Sequence, residues 1–154
     1  MPTRPVIFDV NGPNLNLLGL REPKMYGTDT LADVERLVRA KADVLGFDVD
    51  FFQSNSEGAV IDRLHEARDS GVGVILNPGG LTSTSISLLD ALLAIELPTV
   101  EVHITNIHRR ESFRHNSYAS KAAVAVIMGA GIAGYGFAVE VLANTVRTTE
   151  RPDE

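Results

Sequence analysis

Residues 72–103 read VGVILNPGGLTSTSISLLDALLAIELPTVEVH. Residues 72–76 are a short apolar run closed by Asn77, Pro78 and two glycines. Residues 84–95 place apolar side chains at helical spacing, and Thr99–His103 is a second apolar run. Strand, helix and strand in that order make a unit whose connection is a right-handed crossover and whose strands are parallel.

The same alternation extends outward in both directions. Upstream, residues 6–10 form an apolar strand. Thr30 opens a helix with Asp33 as its capping-box partner, and Leu31, Val34, Val38 and Leu45 line one face. Gly46 stops that helix, residues 47–52 form a second strand, and Ser56 opens a helix striped by Val60, Leu64 and Ala67 and ended by Gly71. Downstream, residues 104–118 are charged and irregular. A fifth strand follows at 123–128, and a last helix starts near Ile132. The polar tail from Thr148 reads as frayed. Five apolar strands alternating with helices predict an α/β protein in which a five-stranded parallel sheet is covered on both faces.

Length and composition fit that reading. At 154 residues the chain is one ordinary domain, 1–154, and a domain of this size buries roughly two-thirds of its unfolded surface. Fourteen Lys and Arg against twenty Asp and Glu give a net charge of −6, with no basic run. That argues against nucleic acid or an anionic membrane as partner. The absence of cysteine excludes disulfides, thiolate nucleophiles and thiolate metal sites, and fits a cytoplasmic protein. Residues 122–139 are uncharged over eighteen positions, but Gly129, Gly131, Gly134 and Gly136 divide them into strand, turn and helix rather than a membrane span. The first residues show no signal-peptide pattern, since Asp9 and Asn11 interrupt the apolar run.

Ligands of such sheets sit beyond the carboxyl ends of the strands, which directs attention to four loops. The first, NGPNLNLLGLREPKMYG (residues 11–27), is long for its place and is either a lid hinged at Gly19 and Gly27 or a solvated surface loop. The third, NPGGLTSTS (77–85), sets two glycines and hydroxyl residues at a helix start, which suits an anion or a simple cap. The fourth strand ends EVHITN, so Glu101 and His103 share a face, and a carboxylate beside an imidazole fixes its tautomer for general-acid work. Arg109, Arg110 and Arg114 follow in an otherwise acidic chain and suit a carboxylate or phosphate. The GAGIAG segment fits G-x-G-x-x-G but lies after the last strand, so tight strand-to-helix packing explains it better than a dinucleotide site.

Five blocks in one order, NGPNLNLLGLREPKMYG, FQSNSEGAVIDRLHEA, NPGGLTSTS with Asp90 behind it, EVHITNIHRRESFRHNSY and GAGIAGYGFA, resemble type II 3-dehydroquinate dehydratase. The resemblance implies a flavodoxin-like, three-layer α/β/α fold. It also implies trans elimination of water from a cyclic hydroxy-ketone acid through an enolate, with no cofactor and no metal. Tyr26 matches the family's general base, with Arg21 and Arg110 beside it. An ordinary tyrosine has a pKa near ~10, and lowering it by three units takes about 4 kcal/mol of differential stabilisation. Asn14 matches the residue that stabilises the enolate oxygen through a water, and His103 the general acid, oriented by Glu101. Asn77 and Arg114 match contacts to substrate hydroxyls, and Ile104 and Thr105 match donors to its carboxylate. Asp90 matches a residue that reaches the site from a neighbouring subunit.

Three positions depart from the family pattern: Ser83 stands where histidine is usual, Leu81 where an aromatic residue is usual, and Thr105 where serine is usual. The base, acid and oxyanion residues are retained, so these changes bear on affinity and substrate identity more than on reaction type. The resemblance further implies a small anionic substrate and a homo-oligomer, a homododecamer in the family, in the shikimate pathway or in quinate breakdown. The alternatives are a non-catalytic or altered-substrate binding protein on the same fold, and a Schiff-base enzyme using Lys24, Lys41 or Lys121. The paired Tyr26–Arg21 and Glu101–His103 argue against the first, and the polar settings of the lysines against the second.

Overall fold

The computed structural model describes residues 3–150, with the side chain of Tyr26 outside the described part. Five strands, β1 (Val6–Asn11), β2 (Asp48–Gln53), β3 (Gly73–Asn77), β4 (Thr99–His103) and β5 (Ala125–Met128), lie in the order β2-β1-β3-β4-β5. Every pairing is parallel. This is the flavodoxin-like order, and its switch point lies between β1 and β3.

Alternation along the strands sorts the core into two layers. Ile7, Ile75, Val100 and Val102 pack beneath α2 (Leu31–Leu45) and α5 (Ala133–Glu150), against Val34, Val38, Val139 and Leu142. Phe8, Val10, Val74 and Leu76 point the other way, onto α3 (Glu57–Ser70) and α4 (Ile86–Ile95), where they meet Val60, Leu64, Leu88 and Leu92. Each of these buried apolar side chains contributes about 1.5–3 kcal/mol relative to exposure. No helix among the described residues is long and apolar enough to cross a membrane.

The local signals that place the helices are present as hydrogen bonds. Thr30 and Asp33 form a reciprocal capping box on α2, and Ser56 caps α3 through the Ala59 amide. After Gly46 the Phe47 amide reaches back to the Ala42 carbonyl at 2.9 Å, closing a Schellman turn that delays β2 to Asp48.

Three other boundaries differ from the sequence reading. The glycine pair at 79–80 winds a 3-10 turn, Gly79–Ser83, so α4 begins at Ile86 with Ser85 as its cap, not at Thr84. A 3-10 turn at Ala119–Ala122 holds β5 back to Ala125. Helix α5 starts at Ala133 and continues through the supposedly frayed Thr148 to Glu150, with the Thr148 and Thr149 hydroxyls bonded to carbonyls four residues earlier. Residues 151–154 lie outside the described residues. Gly134 seats α5 on the sheet, since a Cβ there would stand 3.2 Å from Ile127 Cγ2, and this is the packing role read for GAGIAG.

Candidate active site

The loops after β1 and β3 meet at the switch point. The Gly12 amide donates to the Asn77 carbonyl at 2.8 Å. A Cβ on Gly12 would lie 2.5 Å from the Pro78 oxygen, and one on Gly79, at φ +59°, would lie 2.8 Å from the Pro13 oxygen. Only glycine allows the two backbones to come this close. Beyond this contact opens a cleft of about 430 Å³ over the carboxyl ends of β1, β3 and β4.

The cleft gathers most of the residues singled out in the sequence: Asn14, Arg21, Asn77, Ser83, His103, Ile104, Thr105, Arg110 and Arg114. Three arginines and a histidine line it, with no acidic side chain among the described lining residues. In a chain of net charge −6, that is a local reversal of sign suited to an anion. Arg114 is held by Glu111, Nε to Oε2 at 2.7 Å.

At the floor, His103 donates from Nε2 to Glu101 Oε2 at 2.6 Å. Glu101 is fully buried and His103 is 6% exposed. Burial opposes the Glu101 charge, but bonds from His103, Ser117 and Ser120 outweigh it and hold the carboxyl below its ordinary pKa. The Ser117 hydroxyl lies 2.8 Å from Oε1 and the Ser120 hydroxyl 2.9 Å from the same oxygen. With Nε2 committed to the carboxylate, Nδ1 is the ring nitrogen left to exchange a proton with a ligand.

Asn14 sits at φ +69°, a left-handed conformation that asparagine tolerates better than most residues. Its backbone amide is anchored by the Asn55 carboxamide oxygen at 2.9 Å, from the loop after β2. The segment between Gly19 and Gly27, both at positive φ, carries Arg21 and the short helix α1 (Pro23–Tyr26). Tyr26 ends that helix, and its side chain lies outside the described part. Asp90 is exposed on α4 and does not line the cleft of its own chain. Glu101 lies beneath the cleft rather than in its lining.

Ser117 and Ser120, which hold Glu101, Tyr135, which holds Asn77, and Asn11, which accepts from Tyr135, carry no sequence signal of their own. Their partners lie far along the chain, and no local spacing marks them. Among the described residues no cluster of three or more His, Asp or Glu side chains is arranged to hold a metal ion.

A profile of the family described as dehydroquinase class II matches residues 5–143. The chain belongs to this family. It is 66% identical over 138 residues to the 3-dehydroquinate dehydratase 1 of Corynebacterium efficiens, spanning 90% of this chain and 91% of that protein. It is 55% identical over 148 residues to the catabolic 3-dehydroquinase 2 of Aspergillus flavus, spanning 96% and 99% respectively. The crystal structure of the type II dehydroquinase from Butyrivibrio crossotus matches with a TM-score of 0.88 at 36% identity, covering 92% of this chain and 99% of that one. Likeness to enzymes over nearly the full length disfavours the non-catalytic reading.

Proposed function

We propose that this chain is a hydro-lyase that converts 3-dehydroquinate to 3-dehydroshikimate by trans elimination of water through an enolate, without metal or cofactor. The observation that carries the reading is the His103–Glu101 pair, buried at the floor of an arginine-lined cleft in a chain of this family. Tyr26, as phenolate favoured by Arg21 and Arg110, takes the proton from the carbon beside the ketone. The electron pair moves to the ketone oxygen, and Asn14 steadies the enolate through a water, an oxyanion-type contribution. Collapse of the enolate expels the hydroxyl, which takes a proton from His103 and departs as water. Glu101 orients the imidazole and balances its charge. The proton left on Tyr26 must return to His103 before the next turnover.

Asn77, Ser83 and Arg114 contact substrate hydroxyls in this scheme, and Ile104 and Thr105 hold the carboxylate. Exposure of Asp90 outside its own cleft supports a contribution from a neighbouring copy, within a homododecamer in the cytoplasm. The direct test is incubation with 3-dehydroquinate while following the ultraviolet absorbance of the conjugated enone. Turnover abolished by His103→Ala supports the reading, and no product from the wild-type chain overturns it.

A further inference from the structure

Beneath Asn77 runs a chain of side-chain hydrogen bonds that the proposed reaction does not use. Asn77 Nδ2 donates to the Tyr135 hydroxyl at 2.8 Å. That hydroxyl donates to Asn11 Oδ1 at 2.8 Å, and Asn11 Nδ2 donates to Asp9 Oδ1 at 3.0 Å. Asp9, Asn11 and Tyr135 are fully buried, and Asn77 is 3% exposed.

Two backbone groups make the direction of this chain unambiguous. The Gly79 amide can only donate, and it lies 3.2 Å from Asn77 Oδ1, so the Asn77 atom facing Tyr135 is nitrogen. The Phe52 carbonyl can only accept, and it lies 3.2 Å from Asn11 Nδ2, so the Asn11 atom facing Tyr135 is oxygen. Tyr135 has one proton and must give it to Asn11. It therefore meets Asn77 as an acceptor. Burial first, and the nearby Asp9 second, raise the tyrosine pKa well above the ordinary value, so the hydroxyl keeps that proton. With Oδ1 engaged by Gly79 and one N–H by Tyr135, Asn77 has a second N–H to offer a ligand.

We propose that Tyr135 is a positioning residue for the dehydration: it holds the Asn77 carboxamide in one of its two flip states, so that a substrate hydroxyl meets an N–H donor and not a carbonyl. The proposal rests on the dehydratase reading of the cleft. A flipped carboxamide would set oxygen against the Tyr135 oxygen and N–H against the Gly79 N–H, so the state is fixed before substrate arrives. Beside the Gly79 amide, the groups that fix it are Tyr135 of α5 and Asn11 of β1, on the sheet face opposite His103 and Glu101, which lie toward Ser117 and Ser120.

The test is a kinetic double-mutant cycle on 3-dehydroquinate with Tyr135→Phe and Asn77→Ala, supported by thermal unfolding of each variant. Tyr135→Phe keeps the ring and removes the hydroxyl. Expected is a fall in kcat/KM of about three- to tenfold, carried chiefly by KM, as one neutral hydrogen bond predicts. In the Asn77→Ala background the same substitution is expected to change kcat/KM by less than about twofold, because the group it positions is gone. An equal fold loss in both backgrounds would mean that Tyr135 acts through general stability, and would overturn the proposal. Should Tyr135→Phe not fold, Asn11→Ala runs the same cycle: it removes the acceptor that directs the tyrosine proton, and the same non-additivity is expected. An inactive wild-type chain would refute the dehydratase reading itself, a result distinct from additive losses in an active one.

Discussion

The His103 imidazole and the Glu101 carboxylate sit two residues apart on β4 with 2.6 Å between Nε2 and Oε2, and the carboxylate takes two serine hydroxyls as well. Three donors converge on one fully buried acid. The arrangement favours the ionised Glu101 against the opposing effect of burial, which is what the general-acid role proposed for His103 requires.

Glu101→Gln is expected to lower kcat by about 10²-fold with little change in KM, since the amide keeps the shape but not the charge. Removing both serines (Ser117→Ala with Ser120→Ala) takes away groups that lower the Glu101 pKa. A carboxyl held low in the folded state contributes stability above its unfolded pKa and loses it as pH falls through the folded one. The double variant is therefore expected to lose stability at a higher pH on the acid side. Acid unfolding curves check this, and superimposable curves would contradict it.

Asp9 behaves in the opposite sense. Burial raises its pKa from 3.8 to about 8, against the hydrogen bond from Asn11, which lowers it. The folded state then binds a proton that the unfolded chain releases, so stability falls as pH rises from about 4 and levels off above 8. Between pH 6 and 8 the loss is about 2 kcal/mol. Asp9→Asn keeps an oxygen for Asn11 and cannot titrate, so its stability should fall less with pH over that range. Urea unfolding of both proteins at the two pH values measures the difference, and parallel behaviour would show that Asp9 does not titrate there.

Ser83 lines the cleft from the 3-10 turn ahead of α4. Its short hydroxyl reaches less far than an imidazole would from the same position. Ser83→His is expected to lower KM about two- to tenfold by a direct hydrogen bond to the substrate. A higher KM would mean that Leu81 and Thr105 have reshaped the cleft around serine.

Tyr26→Phe should abolish turnover while ligand affinity, measured by calorimetry, stays near that of the wild type. Arg21→Ala should lower kcat and move the rising, acid-side limb of activity to higher pH, because the phenolate loses a cation. Wild-type kcat in Tyr26→Phe would assign the base to another group.

Much of this was legible because its causes are local. Thr30 with Asp33, Ser56 with Ala59 and Gly46 ahead of Phe47 are contacts within a turn, and the helices begin and end accordingly. Strand β4 and the shared face of Glu101 and His103 follow from period-two alternation alone. The 3-10 turn at Gly79–Ser83 was not legible, since a serine–threonine run offers several caps and packing selects Ser85. Nor was the bond between Tyr135 and Asn11, 124 residues apart, which exists only once α5 lies on the sheet.

Elimination through an enolate by a tyrosine base and a histidine acid leaves a stereochemical signature. It is tested most directly with 3-dehydroquinate carrying deuterium at one defined position beside the ketone, followed by mass analysis of the product. Loss of the hydrogen trans to the departing hydroxyl is expected, with activity that survives borohydride. Loss of the cis hydrogen, together with a borohydride-trapped adduct on lysine, would contradict it.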